Sequence, residues 1–362
     1  MNIKKIKLKN FRCFKDKVFT FDSPFIVIEG KNGSGKTSLL EALYYACYLR
    51  SFRTRSGKEL VNFENKHFFI QIDGTNLEEE AQSIQVGFAD NTKIVKLNQK
   101  NVSSFKELIP HFRVIIAAED DLELVKGSPE IRRNFLDQAL IVESDDYLIN
   151  LKGYKQILSN RNSLLFKIQG KSAYPIEDIK IWTEQIWNMT QKIQQLRISY
   201  LNKLEKQINS LIEENFNSEK ILISLLYKSK VSIKESFEDF WSNYTLKLLQ
   251  DELRQGRSLL GAHLDDFTIN FRTKQAKVFA SRGQQKLIVF LARIAQLKIL
   301  RDRGEQALLL FDDFLTDLDD GIFKKCVEIL TNLDCQVVLT SPLSSYITSK
   351  KIPNLKPKVI RI

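Results

Sequence analysis

The sequence contains no long apolar run, and no stretch approaches the roughly 20 consecutive apolar residues that cross a bilayer. Its four cysteines form no C-x-x-C pair, and with three histidines in the chain a zinc site is not expected. The first residues, MNIKKIKLKNF, alternate apolar and basic side chains and lack the apolar core of a signal peptide. These absences predict a soluble, cytoplasmic protein with reduced thiols and no membrane partner.

The chain has 362 residues, of which 43% are hydrophobic and 27% charged, an ordinary globular composition that predicts about two domains. Lysine and arginine number 55 against 44 aspartates and glutamates, which gives a formal net charge of +11. A surplus of this size attracts polyanions by counterion release. Nucleic acid is therefore a candidate partner, although charge alone does not identify one.

Apolar periodicity divides the chain into three segments. Residues 1–120 read as strands with one strong helix, residues 121–240 carry long helical periodicity, and residues 241–362 return to strands and helices. In the last segment two apolar runs, ALLLFDD and QVVLTS, flank a helix and so predict a parallel strand pair. The predicted fold class is α/β, with a discontinuous head interrupted by an all-helical second lobe.

The middle segment carries two apolar stripes at helical spacing, one over residues 146–167 and one from Ile179 to Leu211. A break at Gly170 and Pro175 separates them, which predicts an antiparallel hairpin or bundle packed as core. A coiled-coil surface for a partner protein is the alternative.

The segment GKNGSGKT matches the pattern G-x-x-x-x-G-K-[ST] in full, after an apolar strand and before a helix. Backbone N–H groups in such a loop surround phosphate oxygens, the lysine adds a positive charge, and the final hydroxyl is a ligand for Mg²⁺. ATP with Mg²⁺ is the predicted cofactor, bound by Gly30, Lys31, Asn32, Gly33, Ser34, Gly35, Lys36 and Thr37.

A phosphate loop requires an acidic partner from a neighbouring strand, and LLLFDD supplies two. Asp312 is the predicted metal carboxylate, together with Thr37, and Asp313 is placed to orient or deprotonate the attacking water. Lys36, Asp312 and Asp313 form the predicted catalytic set. The alternative for the two acids is a helix cap or a loop charge.

The segment FASRGQQKL places Ser281, Gly283 and Gln284 at the start of an apolar helix, where unsatisfied N–H groups meet an anion. A phosphate loop, then Ser-x-Gly-Gln, then a strand ending in acids resembles ABC-type ATPases. That resemblance implies that the three residues contact the γ-phosphate of ATP held by a second copy, giving a head-to-head dimer. The loop 315–319, LTDLD, resembles the dimer-interface loop of the same ATPases.

Further blocks resemble the RecF family of bacterial recombination-mediator ATPases over nearly the whole chain. They are LKNFRCF, LLEALYY, SFRTRSGKELVNF, EDDLELVKGSPEIRRNFLDQAL and ELRQGRSLLGAHLDDF. The chain departs from the family pattern at Ala262 and Leu264, which replace Pro and Arg, and at Lys286, which stands where Arg is usual. Thr340 and Ser341 stand where ABC transporters have a histidine, so the transporter-type switch is absent.

This resemblance implies an ATP-dependent DNA-binding protein of recombinational repair and replication restart, active in DNA damage and the SOS response. It implies an ATP-dependent homodimer that binds double- and single-stranded DNA at gaps without sequence preference. With RecO- and RecR-like partners it would help load a RecA-type recombinase. It also implies a weak ATPase whose slow hydrolysis is stimulated by DNA.

Seven basic or titratable residues each fit two roles. Arg12 reaches the nucleotide phosphates or forms a structural salt bridge, and His263 senses the phosphate or is structural. The candidate DNA contacts, each equally a surface charge or structural ion pair, are Arg53, Arg55, Lys58, Arg132 and Arg133. Rival functions are an SMC- or Rad-type DNA-end ATPase, for whose arms the chain is too short, a transporter subunit, and a clamp in which ATP is mainly structural.

Overall fold

The computed structural model describes residues 2–76, 78–171, 173–216, 221–230, 236–316, 318–341 and 357–362. The chain forms two compact units. The head unit comprises Met1–Leu122, Leu211–Glu219 and Ala280–Ile362, and the helical unit comprises Glu123–Ser210 and Lys220–Phe279. These bounds differ from the three predicted segments, because residues 241–279 belong to the helical unit and residues 211–219 to the head unit.

The strands of the head unit are β1 (Asn2–Phe11), β2 (Phe14–Thr20), β3 (Phe25–Glu29), β4 (His67–Thr75), β5 (Ala81–Ala89), β6 (Thr92–Leu97), β7 (Lys100–Asn101), β8 (Val114–Ala117), β12 (Leu308–Phe311), β13 (Val337–Ser341) and β14 (Lys358–Arg361). Its helices are α1 (Lys36–Tyr48), α9 (Arg282–Arg301) and α10 (Asp320–Thr331). The helical unit holds α2 (Glu123–Lys126), α3 (Pro129–Glu143), α4 (Asp145–Ile168), α6 (Phe237–Lys247), α7 (Leu249–Gln255), α8 (Ala276–Phe279), β9 (Ile223–Lys228), β10 (Asp266–Phe271) and β11 (Lys274–Gln275). Helix α5 (Ile176–Phe216) belongs to the helical unit except for its last residues.

An antiparallel sheet with the order β2-β1-β4-β5-β6-β7 forms one layer of the head unit. Its strands alternate buried apolar and exposed polar residues, as expected for a sheet with one face in the core. The β5–β6 hairpin turns at Asp90 and Asn91, whose φ angles of 48° and 63° both lie in the left-handed region. Positive φ at both central residues is the geometry of a type I′ hairpin turn, in which Asp and Asn are common.

A parallel sheet with the order β14-β3-β13-β12-β8 forms the second layer. Its strands β3, β8, β12 and β13 are buried along their whole length, because helices cover a parallel sheet. Helix α1 packs against strands of both sheets. The predicted parallel pair is confirmed, with β12 beside β13 and α10 as the connection between them.

Gln336 joins the two sheets of the head unit. Its buried side chain accepts a hydrogen bond from the Ile3 N–H at 2.8 Å and donates to the Ile3 carbonyl at 2.9 Å. One side chain thereby completes the backbone pairing of a residue in the other sheet.

The helical unit contains the predicted antiparallel hairpin. Near one end of α4 Tyr147 contacts Arg197 of α5, and fourteen residues further on Arg161 contacts Thr183. The contacting position on α5 falls by fourteen residues while the position on α4 rises by fourteen, as expected for antiparallel helices. The predicted core packing of this hairpin is confirmed by the burial of Ile179, Ile186, Ile193 and Ile208.

The prediction of an all-helical second lobe needs one correction. A three-stranded antiparallel sheet with the order β11-β10-β9 lies in the helical unit. In β10, Phe267, Ile269 and Phe271 are buried and alternate with half-buried residues, a period of two that is too short to stand out beside the long helical stripes. Among the described residues no helix is both long and apolar enough to cross a membrane.

Candidate nucleotide-binding site

The predicted phosphate loop connects β3 to α1, and parts of its backbone adopt conformations that favour glycine. Gly33 and Gly35 have φ angles of 83° and 110°, which side-chain-bearing residues rarely adopt. A Cβ on Gly35 would lie 2.6 Å from the Cys13 sulfur and 2.9 Å from a ring atom of Phe14. The loop is therefore closed on one side by the β1–β2 turn, and only glycine fits at its end.

Lys36 is the first residue of α1, and its side chain is 5% exposed. Its ammonium donates to the carbonyls of Gly30 at 3.0 Å and Lys31 at 3.3 Å, and lies 3.8 Å from a carboxylate oxygen of Asp313. The loop's own carbonyls thus hold the positive charge at the mouth of the loop, beside the predicted catalytic acid.

The two acids follow β12, and β13 lies between this strand and β3, so the acids are not on the strand next to the phosphate loop. Side chains connect the phosphate loop to the acids across this intervening strand. Thr37 donates to Asp312 Oδ1 at 3.0 Å, and the Thr340 hydroxyl lies 3.0 Å from the same oxygen. Thr37 and Asp312 therefore present neighbouring oxygens, the type of ligand that Mg²⁺ prefers.

Burial raises the pKa of Asp312 above its ordinary value, and the nearby charge of Asp313 adds to this effect. Hydrogen bonds from Thr37 and Thr340 act in the opposite direction, as does the positive charge of Arg53. A carboxylate whose ionised form is disfavoured gains most from a cation, so this position is electrostatically suited to a metal.

Asp313 adopts a left-handed backbone with φ of 46°, a conformation that aspartate tolerates better than most residues. Its N–H donates to Thr340 Oγ1 at 2.7 Å, and its Oδ1 lies 3.2 Å from the same hydroxyl. Thr340 therefore holds both the backbone and the carboxylate of Asp313 in place. Strained residues supported in this way are common at functional sites.

Arg12 forms the structural salt bridge that was one of its two predicted roles. Its guanidinium pairs with the fully buried Glu41 through two hydrogen bonds of 2.8 Å and donates to the Glu59 carbonyl at 2.7 Å. Arg53 lies 3.6 Å from Glu41 and close enough to Asp312 to lower its pKa, so it sits beside the phosphate loop.

The signature segment begins α9 as predicted. Ser281 is the N-cap residue: its hydroxyl accepts from the Gln284 N–H, and the Gln284 side chain accepts from the Ser281 N–H at 3.0 Å. These reciprocal bonds make a capping box. Gly283 lies in the first turn. Of the predicted dimer loop 315–319, residue 317 lies outside the described residues.

Lys286 is fully buried in the same helix. Its ammonium lies 3.3 Å from Glu119, which also pairs with Arg282, and 5.7 Å from the ring centre of Phe314. The lysine that replaces the family's arginine is therefore held inside the head unit.

Within the helical unit the GAHLDDF block is structural. Arg132 is buried and pairs with Asp266 at 2.7 and 2.9 Å, and Arg133 donates to the Asp265 carbonyl. Arg132 thus forms the structural ion pair that was one of its two predicted roles. His263 Nδ1 lies 2.6 Å from the Tyr154 hydroxyl, the structural alternative for this residue.

The loop and its surroundings fit a phosphate chain with Mg²⁺. Ser34 Oγ is buried and has no hydrogen-bond partner among the described residues. No atom lies within 4 Å of the position that a Cβ on Gly33 would occupy, so the loop is open there. Together with the ammonium of Lys36 and the oxygens of Thr37 and Asp312, this donor set matches a metal-bound nucleotide.

Residues 5–255 match a family model described as an AAA domain. The chain is 32% identical over 328 residues to DNA replication and repair protein RecF of Bacillus cereus (strain G9842), which covers 88% of this chain and 86% of that protein. RecF of Bacillus thuringiensis (strain Al Hakam) has the same identity over the same length. The chain belongs to the RecF family.

Solved structures agree with this assignment. A RecF–ATP structure, described as a recombination mediator of the RecFOR pathway, has a TM-score of 0.83 at 29% identity and covers 95% of the present RecF-family chain and 93% of its own. An Smc head bound to the C-winged helix domain of ScpA has a TM-score of 0.56 at 16% identity, over 96% of this chain and 91% of its own, which shows the fold alone. The predicted ABC-type ATPase head is therefore confirmed.

Two site residues of this RecF-family chain were not predicted from the sequence. Thr340, which stands where ABC transporters have a histidine, contacts both acids. Glu41, in LLEALYY, joins Arg12, Arg53 and the Ser51 hydroxyl. Its one sequence signal is a charged residue within an otherwise apolar helical run, which predicts a buried ion pair.

Proposed function

We propose that this chain is a recombination-mediator ATPase that binds Mg²⁺-ATP, dimerises head to head and binds DNA. The observation that carries the proposal is the convergence of Lys36, Thr37, Asp312 and Asp313 at one end of the parallel sheet. The solved structures of RecF with ATP, at 29% identity, and with ATPrS, at 28% identity, support ATP as the nucleotide.

In this proposal the phosphates lie along the loop 30–37, with Lys36 releasing its loop carbonyls to pair with them. Thr37 and Asp312 would hold Mg²⁺, which would neutralise charge on the phosphate oxygens. Asp313 orients the attacking water and accepts its proton, while Thr340 keeps the Asp313 carboxylate aimed. An aspartate here, one methylene shorter than glutamate, is consistent with the slow turnover we expect.

Dimerisation depends on the start of α9. The N-terminus of a 20-residue helix favours an anion, and Ser281, Gly283 and Gln284 lie in its cap and first turn. We propose that the γ-phosphate of ATP held by a second copy is that anion. ATP would then act as the bond between two heads, and the dimer would open after hydrolysis.

DNA is the proposed partner of the dimer, bound at gaps without base-specific contacts. The net charge of +11 supports affinity for the DNA backbone. RecO- and RecR-like proteins would act with it to load a RecA-type recombinase. The RecF relatives, described as replication and repair proteins, support this assignment.

The test measures molar mass by light scattering with and without Mg²⁺-ATP, and then with gapped duplex DNA. We expect the wild type to double its mass with ATP. Lys36→Ala, which removes the phosphate-binding charge, stays monomeric. The matched pair Ser281→Asp and Ser281→Asn separates the two roles of Ser281, because both residues are good helix N-caps and only Asp repels a phosphate.

Ser281→Asn should therefore dimerise, and Ser281→Asp should not. If Ser281→Asp dimerises as the wild type does, the contact with a phosphate of the second copy is wrong. A mass that does not respond to ATP in the wild type rejects the dimer itself. An ATPase assay with and without DNA then separates the mediator from a clamp in which ATP is mainly structural, since only the first predicts stimulation.

A further inference from the structure

The outward face of the antiparallel sheet carries one row of side chains that crosses five strands. The register places Val18 opposite Lys7, Lys7 opposite Gln71, Gln71 opposite Gln85, and Gln85 opposite Lys96. Residues directly opposite one another point to the same face of a sheet. The row therefore has a lysine at each side of two amides.

A polar groove of about 450 Å³ lies where β4 ends and β5 begins. Amide and hydroxyl residues line most of it, among them Gln71, Gln85, Asn98 and Ser83. One acid, Asp73, lies in its floor, where it accepts hydrogen bonds from Gln71 at 3.0 Å and Ser83 at 2.9 Å. The floor is thus a set of hydrogen-bonding groups with its single carboxylate already engaged.

The lysines around the groove are available for a ligand. Across the part of the chain that the structure describes, no carboxylate lies within ion-pair distance of Lys5, Lys7 or Lys96. Lys7 and Lys96 lie three strand spacings apart, about 14 Å, which equals the rise of about four base pairs along the DNA axis. The face therefore presents unpaired positive charge around neutral hydrogen-bonding groups.

We propose that this sheet face, formed by Lys5, Lys7, Gln71, Gln85 and Lys96, binds the sugar–phosphate backbone of duplex DNA. Lysine, glutamine, asparagine and serine are side chains that contact phosphate and sugar without reading sequence. The charge is spread over a broad, open face, which suits a stiff duplex better than the narrow channel used for single strands. This inference rests on the proposed function, since it names the surface that its DNA partner occupies.

The test compares two double variants with equal charge change. Lys7→Glu with Lys96→Glu reverses the two row lysines, and Lys17→Glu with Lys324→Glu reverses two exposed lysines of the head unit outside this face. Binding of a fluorescent 30-base-pair duplex is measured over a salt series. We expect the first variant to bind at least about tenfold more weakly, with a salt slope lower by about 2, and the control to change less than about threefold.

Asp73→Asn removes the one negative charge of the groove and should tighten duplex binding. Thermal stabilisation by Mg²⁺-ATP checks that each variant is folded. If the charge-reversal double variant does not fold, Lys7→Gln with Lys96→Gln takes its place. Equal losses of duplex affinity in the row and control variants would show that this face is not the DNA-binding surface. They would not contradict DNA binding itself. Wild-type protein that binds polyglutamate but no duplex would contradict both this surface and the proposed DNA partner. It would indicate an acidic protein as the partner instead.

Discussion

Lys286 and Glu119 form an ion pair of 3.3 Å in which the lysine is fully buried and the glutamate about half exposed. The pair ties the signature helix α9 to the short 3-10 helix Glu119–Leu122 after β8, and Arg293 pairs with Asp121 of the same turn at 2.7 Å. The segment that we propose to contact a second copy is thereby anchored within its own head unit.

We expect Glu119→Gln to destabilise the head unit by about 2 kcal/mol, because a buried cation loses a charged partner. Lys286→Met in the same chain should recover part of that loss, since the buried charge is then gone. Urea unfolding of the two single variants and the double variant measures the coupling, for which about 0.5–3 kcal/mol is typical of contacting residues. Additive effects would show that the pair contributes nothing specific.

Asp312→Asn should raise the melting temperature of the ligand-free protein while abolishing its stabilisation by Mg²⁺-ATP. The raised pKa means that the folded state disfavours the ionised carboxylate, so the wild type loses stability as pH rises through that pKa. The advantage of the neutral amide should therefore grow from pH 4 to pH 7. Saturating nucleotide, worth about 2.7 kcal/mol at 100 times its Kd, should stabilise only the wild type.

Thr340→Val should slow ATP hydrolysis by about 100-fold with little change in ATP affinity. The variant leaves the Asp313 N–H without its acceptor and frees the carboxylate to move. Thr340→Ser keeps the hydroxyl and is the control, expected to retain most of the rate. Single-turnover hydrolysis and equilibrium nucleotide binding are measured on the same preparations. A valine variant as fast as the serine variant would remove Thr340 from the catalytic site.

His263 should make the protein less stable in mild acid. Burial lowers its pKa, so below about pH 6.5 the unfolded chain takes up a proton that the folded chain refuses. Stability should therefore fall between pH 7.5 and pH 5.5, by at most about 1.4 kcal/mol from this residue. His263→Gln should reduce that fall in urea titrations. An unchanged pH dependence in the variant would assign the effect to other groups.

The motifs that depend on neighbouring residues were predictable from the sequence. The loop 30–37 follows a buried strand and begins a helix, Ser281 caps α9, and the β5–β6 hairpin turns at Asp90 and Asn91. In each case the backbone geometry is set within a few residues, by glycine at positive φ, by a capping side chain or by an Asp-Asn turn. The family resemblance then identified the head fold.

The contacts between distant segments were not predictable in this way. Strand order put β13 between the phosphate loop and the acids, so that Thr340 became the residue joining Asp312 to Asp313. Arg12 has a donor geometry that suits phosphate or carboxylate equally, and only the position of Glu41 decided which it meets. Lys286 likewise acquired its partner from a segment more than 150 residues away. Such pairs depend on how strands and helices pack, and a local pattern carries no information about the partner.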